Sequence, residues 1–138
     1  MLVNKRDTII SIVIKCWIII GFIIGYIDEV HSDVFMRTGA ILYYTVQSNI
    51  WITAIISVFL VYDIISLKKG KVVEIPNWLR LVKYIFTVAI TITFIVYNFI
   101  LYPGSVLTNA GESYLNAHTF LLHIFVPVLA IVDYIKRY

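Results

Sequence analysis

Four nearly unbroken apolar stretches, at 8–27, 40–67, 81–102 and 117–135, decide most of what this chain can become. Each is close to or longer than the roughly 20 residues that span about 30 Å of hydrocarbon. Inside a bilayer the backbone finds no water, so each stretch must close its hydrogen bonds within itself, as an α-helix. The many Ile, Val and Thr residues would favour strands in water, a preference that lipid overrides. Hydrophobic residues make up 61% of the chain and charged residues 14%, with a mean hydropathy of +0.92. A soluble domain is roughly half apolar and a quarter charged. The sequence therefore predicts an all-α, polytopic transmembrane bundle of four helices, forming one domain over residues 1–138.

Lys5 and Arg6 before the first stretch resemble the start of a signal peptide, but the apolar run exceeds the usual h-region of about 7–15 residues. It continues into Asp28, Glu29 and Val30 without a small-x-small cleavage site, so it reads as a retained anchor. Charge then orients the chain. Lys5, Arg6, Lys68, Lys69, Lys71, Arg80, Lys83, Lys136 and Arg137 cluster at the termini and the second loop. The first and third loops hold Asp28, Glu29, Asp33 and Glu112 against Arg37 alone. Basic loops stay in the cytoplasm, which predicts a multi-pass protein of the cell membrane with both termini inside. Tyr26, Tyr43, Tyr44, Tyr102 and Tyr114 fit the outer interface, and Trp78, Tyr84, Tyr134 and Tyr138 the inner one. Pro76 and Asn77 mark the start of the third helix.

The net charge of +3 is spread between apolar runs. No basic patch lies on a polar face, so nucleic acid is not an expected partner. The one cysteine, Cys16, cannot form an internal disulfide and reads as a packing residue. His118 and His123 are about 140° apart around a helix, a poor pair for a metal, and no cofactor motif is present. Usage rich in Ile, Lys and Tyr points to a low-GC bacterium. The expected partners are membrane lipids and a second copy of the chain.

Polar groups at membrane depth are costly, so each needs a reason. Lys15 lies roughly 10 Å along the first helix at 1.5 Å per residue, and Asp63 and Asp133 lie near the inner ends of the second and fourth. Lys15 either snorkels to the interface or pairs with Asp63. These charges stop at one leaflet, which argues against an ion path. Gly21 and Gly25 form a GxxxG pattern that permits close helix approach, within the bundle or between protomers.

A second polar layer lies toward the outer side. Thr45 and Asn49 share a face of the second helix, Thr119 and His123 share one of the fourth, and Asn98 sits at a similar depth in the third. Pro127 lacks the N–H that would bond the carbonyl of residue 123, so the helix can open around His123. From these residues alone, a structural histidine bonded to a neighbouring helix and a threonine–histidine catalytic pair both remain open.

The segments Ile41-Leu-Tyr-Tyr-Thr-Val-Gln-Ser-Asn49 and Leu121-Leu-His-Ile-Phe-Val-Pro-Val-Leu-Ala-Ile-Val-Asp133 resemble a broad membrane family. Its eukaryotic members are the androgen-induced and androgen-dependent hydrolases of fatty acid esters of hydroxy fatty acids, and its bacterial relatives are mostly uncharacterised. The likeness follows the order of segments through most of the chain, on short motifs. It matches the family's threonine to Thr45 and its histidine to His123. It implies a multi-helix bundle with a threonine nucleophile, a histidine base and a lipid ester substrate. Ser48, Asn49 and Asn98 are the candidates to donate to an oxyanion or contact polar parts of the substrate. Members of the family continue with further helices after the histidine helix, whereas this sequence stops at Tyr138. The pocket is therefore expected in a minimal form, completed by a partner or a second copy, or without activity.

Two functions follow: a threonine–histidine lipid ester hydrolase, or a non-catalytic membrane protein that binds lipid or assembles with partners. A small transporter ranks behind both, because the middle of the bundle is apolar.

Overall fold

The computed structural model describes residues 2–30, 44–101, 103 and 120–137. They form four helices: α1 (Lys5–Val30), α2 (Tyr44–Lys69), α3 (Asn77–Val96) and α4 (Val126–Arg137). A π-helical turn, Tyr97–Leu101, extends α3, and another, Leu121–Phe125, precedes α4. The all-α bundle expected from the apolar pattern is what forms. Three helical stretches, Lys5–Asp28, Val46–Lys69 and Asn77–Ile100, are long and apolar enough to cross a membrane, and Leu121–Ile135 is a shorter apolar helix. The first and third loops, with His118 and Thr119, lie outside the described residues.

Each helix packs against its neighbours in chain order, and α4 closes the ring against α1. Consecutive helices run antiparallel, so α1 and α3 share a direction, as do α2 and α4. The basic residues at both termini and at the α2–α3 connection gather at one end, called the basic end below. Gly70 adopts φ 67 just after α2, the left-handed conformation that commonly ends a helix. The chain then runs extended to Pro76, and Val3 N–H donates to the Gly70 carbonyl at 3.3 Å, so the N-terminal residues brace this connection.

The polarity of the bundle is inverted relative to a protein in water. Trp17, Ile24, Val61, Leu81 and Phe99 are exposed on its outside, while Lys15, Asp63, Lys83 and Asp133 are buried. Oil-like surroundings suit that outer surface, and charge is tolerated inside only because it is paired. The inward stripe of α1 shows the pattern: Thr8, Ser11, Lys15, Ile18, Gly21 and Gly25 recur at three and four residues and are buried. Between the polar ends lies an apolar core built on Ile18, Ile52, Ile56, Phe59, Ile90 and Val126.

The GxxxG pattern packs within the bundle. A Cβ on Gly21 would meet the Phe125 ring at 2.6 Å, and one on Gly25 would meet Leu121 and Leu122 at 3.0 Å. The missing side chains let α1 lie directly against the π turn that carries His123.

Candidate functional site

Two polar layers are present, and both are built from facing helices. The outer layer starts with Pro127. In an α-helical register the N–H of residue 127 would bond the carbonyl of residue 123; in a π register it would bond that of residue 122. Val126 N–H does bond the Leu121 carbonyl, the π pattern. Proline supplies no N–H to either acceptor. Two asparagine amides serve them instead. Asn49 Nδ2 on α2 donates to the Leu122 carbonyl at 3.0 Å, and Asn98 Nδ2 donates to the His123 carbonyl at 3.0 Å. The turn that carries Asn98 itself lies just before a proline, Pro103.

Asn98 Nδ2 also donates to the Phe94 carbonyl at 2.8 Å, so both of its hydrogens are engaged. An oxyanion role for Asn98 would require one of these bonds to open. Ser48 Oγ lies 2.9 Å from Thr93 Oγ1, and the Thr93 hydroxyl donates to the Ala89 carbonyl, which makes Ser48 the donor between the two. Ser48 and Asn49 are fully buried. The His123 ring stacks on Tyr97 with centroids 3.4 Å apart and planes 9° apart. This contact covers one face of the imidazole and fixes the plane in which its nitrogens lie.

The backbone of Thr45 belongs to α2; its side chain lies outside what the structure describes. Thr45 is one turn from Asn49 and on the same side of the helix. The bond from Asn49 to the Leu122 carbonyl spans the bundle diagonal and sets the register between α2 and the residue preceding His123.

An amide serving a buried carbonyl should be worth about 0.5–2 kcal/mol in a membrane setting. Asn49→Ala is expected to lower stability by that amount in detergent unfolding. Pro127→Ala, which restores an N–H, should shrink the loss in a double-mutant cycle. An unchanged loss would show that Pro127 is not the reason for the Asn49 bond.

The second layer sits toward the basic end, and one charged residue from each helix builds it. Lys15 Nζ of α1 lies 2.9 Å from Asp63 Oδ2 of α2 and 2.8 Å from Asp133 Oδ1 of α4. Asp133 Oδ2 in turn lies 2.6 Å from Lys83 Nζ of α3. Ser11 joins them: its hydroxyl accepts from Lys15 and donates to Asp63 Oδ2 at 2.7 Å. The ammonium of Lys83 also sits 4.5 Å from the centroid of the Phe59 ring. The Lys15–Asp63 pair expected from the sequence is therefore part of a chain of four ions. Snorkelling of Lys15 is excluded, since its side chain has 0% exposure.

Lys83 corrects the sequence reading, which counted it among the charges flanking the second loop. Its side chain is 1% exposed, inside α3. A signal was available: Leu79, Lys83, Thr87, Ile90 and Thr93 recur at four and three residues and form the buried face of that helix. Trp78 and Tyr84 are exposed near the basic end, and Tyr84 packs beside Tyr134 with centroids 6.1 Å apart. Among the described residues no cluster of His, Cys, Asp and Glu is arranged to hold a metal ion.

Comparison of the chain with protein-family models, with curated proteins and with solved structures found no match.

Proposed function

We propose that the chain is a multi-pass protein of the cell membrane, with its basic end in the cytoplasm, that hydrolyses lipid esters in the opposite half of the bilayer. The orientation rests on the excess of Lys and Arg at that end. A reporter that is active only in the cytoplasm, fused to the C-terminus, checks it.

The observation that carries the catalytic reading is the 3.0 Å bond from Asn49 to the Leu122 carbonyl. It ties the helix of Thr45 to the residue beside His123 across the bundle. The π turn is a second support, because such turns recur at functional sites. In this reading His123 takes the proton of the Thr45 hydroxyl as its oxygen attacks the ester carbonyl carbon. The ester C–O bond breaks, and the departing alcohol leaves with that proton. Water then hydrolyses the acyl-threonine and regenerates both groups. Ser48 and Asn49, within one turn of Thr45, are bonded to Thr93 and to the Leu122 carbonyl and hold that turn in place; contact of either with the ester would require one of these bonds to open.

The test is labelling of the full chain in membranes with a lipid-like fluorophosphonate. Wild type is expected to react, Thr45→Ala to be silent, and His123→Ala to react about 100-fold more slowly or less. Equal labelling of Thr45→Ala ends the catalytic reading.

One observation favours the alternative, a non-catalytic protein that binds lipid or assembles with partners: the outer polar groups bond each other and the backbone, both hydrogens of Asn98 included. That reading expects no labelling of wild type.

A further inference from the structure

A cavity of about 480 Å³ opens at the basic end, within the roughly 300–1,000 Å³ typical of small-molecule sites. It lies among α2, α3, α4 and the connection at 70–76. Asp63 and Lys83 line it from the ion chain, Tyr62, Ser66 and Tyr134 contribute hydroxyls, and Arg80 stands on α3. One wall is held in place, since Val73 N–H donates to Ser66 Oγ at 3.0 Å.

The sign of its charge follows from the ion chain. Lys15 and Lys83 offset Asp63 and Asp133, so those four groups sum to zero. Asp63 presents little net repulsion to an anion, because Lys15 and Ser11 both contact its Oδ2. Arg80 is additional: it is exposed, lines the cavity, and makes no ion pair among the described residues. The cavity therefore carries an excess positive charge on a guanidinium, a group whose forked N–H donors match a phosphate. Arg80 also lies in the first turn of α3, whose positive dipole end adds in the same direction. Beside it on α3, Trp78 and Leu81 are 66% and 58% exposed, an apolar surface on which acyl chains can lie.

We infer that this cavity binds a phosphate group, with Arg80 as the principal contact. The group is carried by an anionic phospholipid or arrives as free inorganic phosphate. The inference concerns the opposite end of the bundle from Thr45 and His123, and does not depend on catalysis there.

The test uses the full chain in neutral detergent, titrated with dioctanoyl phosphatidylglycerol, with dioctanoylglycerol, which has the same chains and no phosphate, and with inorganic phosphate. Binding is read by calorimetry and by the rise in melting temperature. Phosphatidylglycerol should bind about tenfold more tightly than dioctanoylglycerol. Arg80→Gln should erase that preference, and Arg80→Lys should keep part of it. Lys71→Gln removes an exposed charge at the same end that does not line the cavity, and should change nothing. If millimolar phosphate displaces the anionic lipid, the site takes free phosphate. If it does not, and the preference holds, the site takes the lipid. Equal binding of the two lipids without phosphate binding overturns the inference. So does a preference that survives Arg80→Gln, or that Lys71→Gln reduces equally.

Discussion

Replacing Asp133 with leucine is expected to cost the bundle about 3–5 kcal/mol, the loss typical when one partner of a buried ion pair is removed. Asp133 bridges two cations, with Lys15 Nζ at 2.8 Å and Lys83 Nζ at 2.6 Å, and its side chain has 0% exposure. Its removal leaves two ammonium groups sharing Asp63 in a medium that solvates charge poorly. The measurement is unfolding in detergent, by heat or by denaturing surfactant. A second variant separates the charge from the shape: Lys83→Met combined with Asp133→Leu removes one cation with the carboxylate and should recover most of the loss. A cost below about 1 kcal/mol for Asp133→Leu would mean that water screens the cluster as it screens a surface pair. A double variant no better than the single would mean that packing around Asp133, not charge balance, was lost.

The second large effect is expected at Gly21. Gly21→Val places a branched side chain where even a Cβ would stand 2.6 Å from the Phe125 ring. Overpacking of this kind costs about 1–3 kcal/mol, and valine belongs at the upper end. Better helix propensity than glycine returns less than about 1 kcal/mol. Phe125→Ala in the same chain removes the obstructing ring, so the two substitutions should be strongly non-additive. Pushing α1 off the π turn also strains the bonds that Asn49 and Asn98 make to Leu122 and His123. If Gly21→Val left stability intact and changed only oligomeric state, the glycines would be acting between protomers, contrary to their burial inside the bundle.

Much of the architecture was legible in the residues, for a simple reason. A stretch of about 20 apolar residues has one low-energy form in lipid, so helix number and kind follow from hydropathy. Depth was legible too, since rise per residue is constant in a helix; that is why Lys15, Asp63 and Asp133 read as one layer and Thr45, Asn98 and His123 as another. The start of the third helix was legible from its breaker and not from hydropathy: Pro76 and Asn77 mark it, and α3 begins at Asn77, four residues before the apolar stretch at 81–102, because polar and charged first-turn residues carry no hydropathy signal. Lys83 was misplaced because a lysine near a loop looks like a surface charge until its helix face is known.

What the sequence settled alone is the class of fold: apolar length and basic clustering make an all-α membrane bundle and collect the positive charge at one end. Which polar groups meet was settled only in three dimensions. Asp133 could have paired with any cation at its depth, and it lies between Lys15 and Lys83 because the helices pack in a ring that brings α1, α3 and α4 to one point. Asn49 and Asn98 could have faced a substrate, and in the bundle they serve the carbonyls that Pro127 cannot. Hydropathy is a property of one chain segment at a time, whereas a hydrogen bond across a bundle depends on the rotation and offset of two helices, which no single segment encodes.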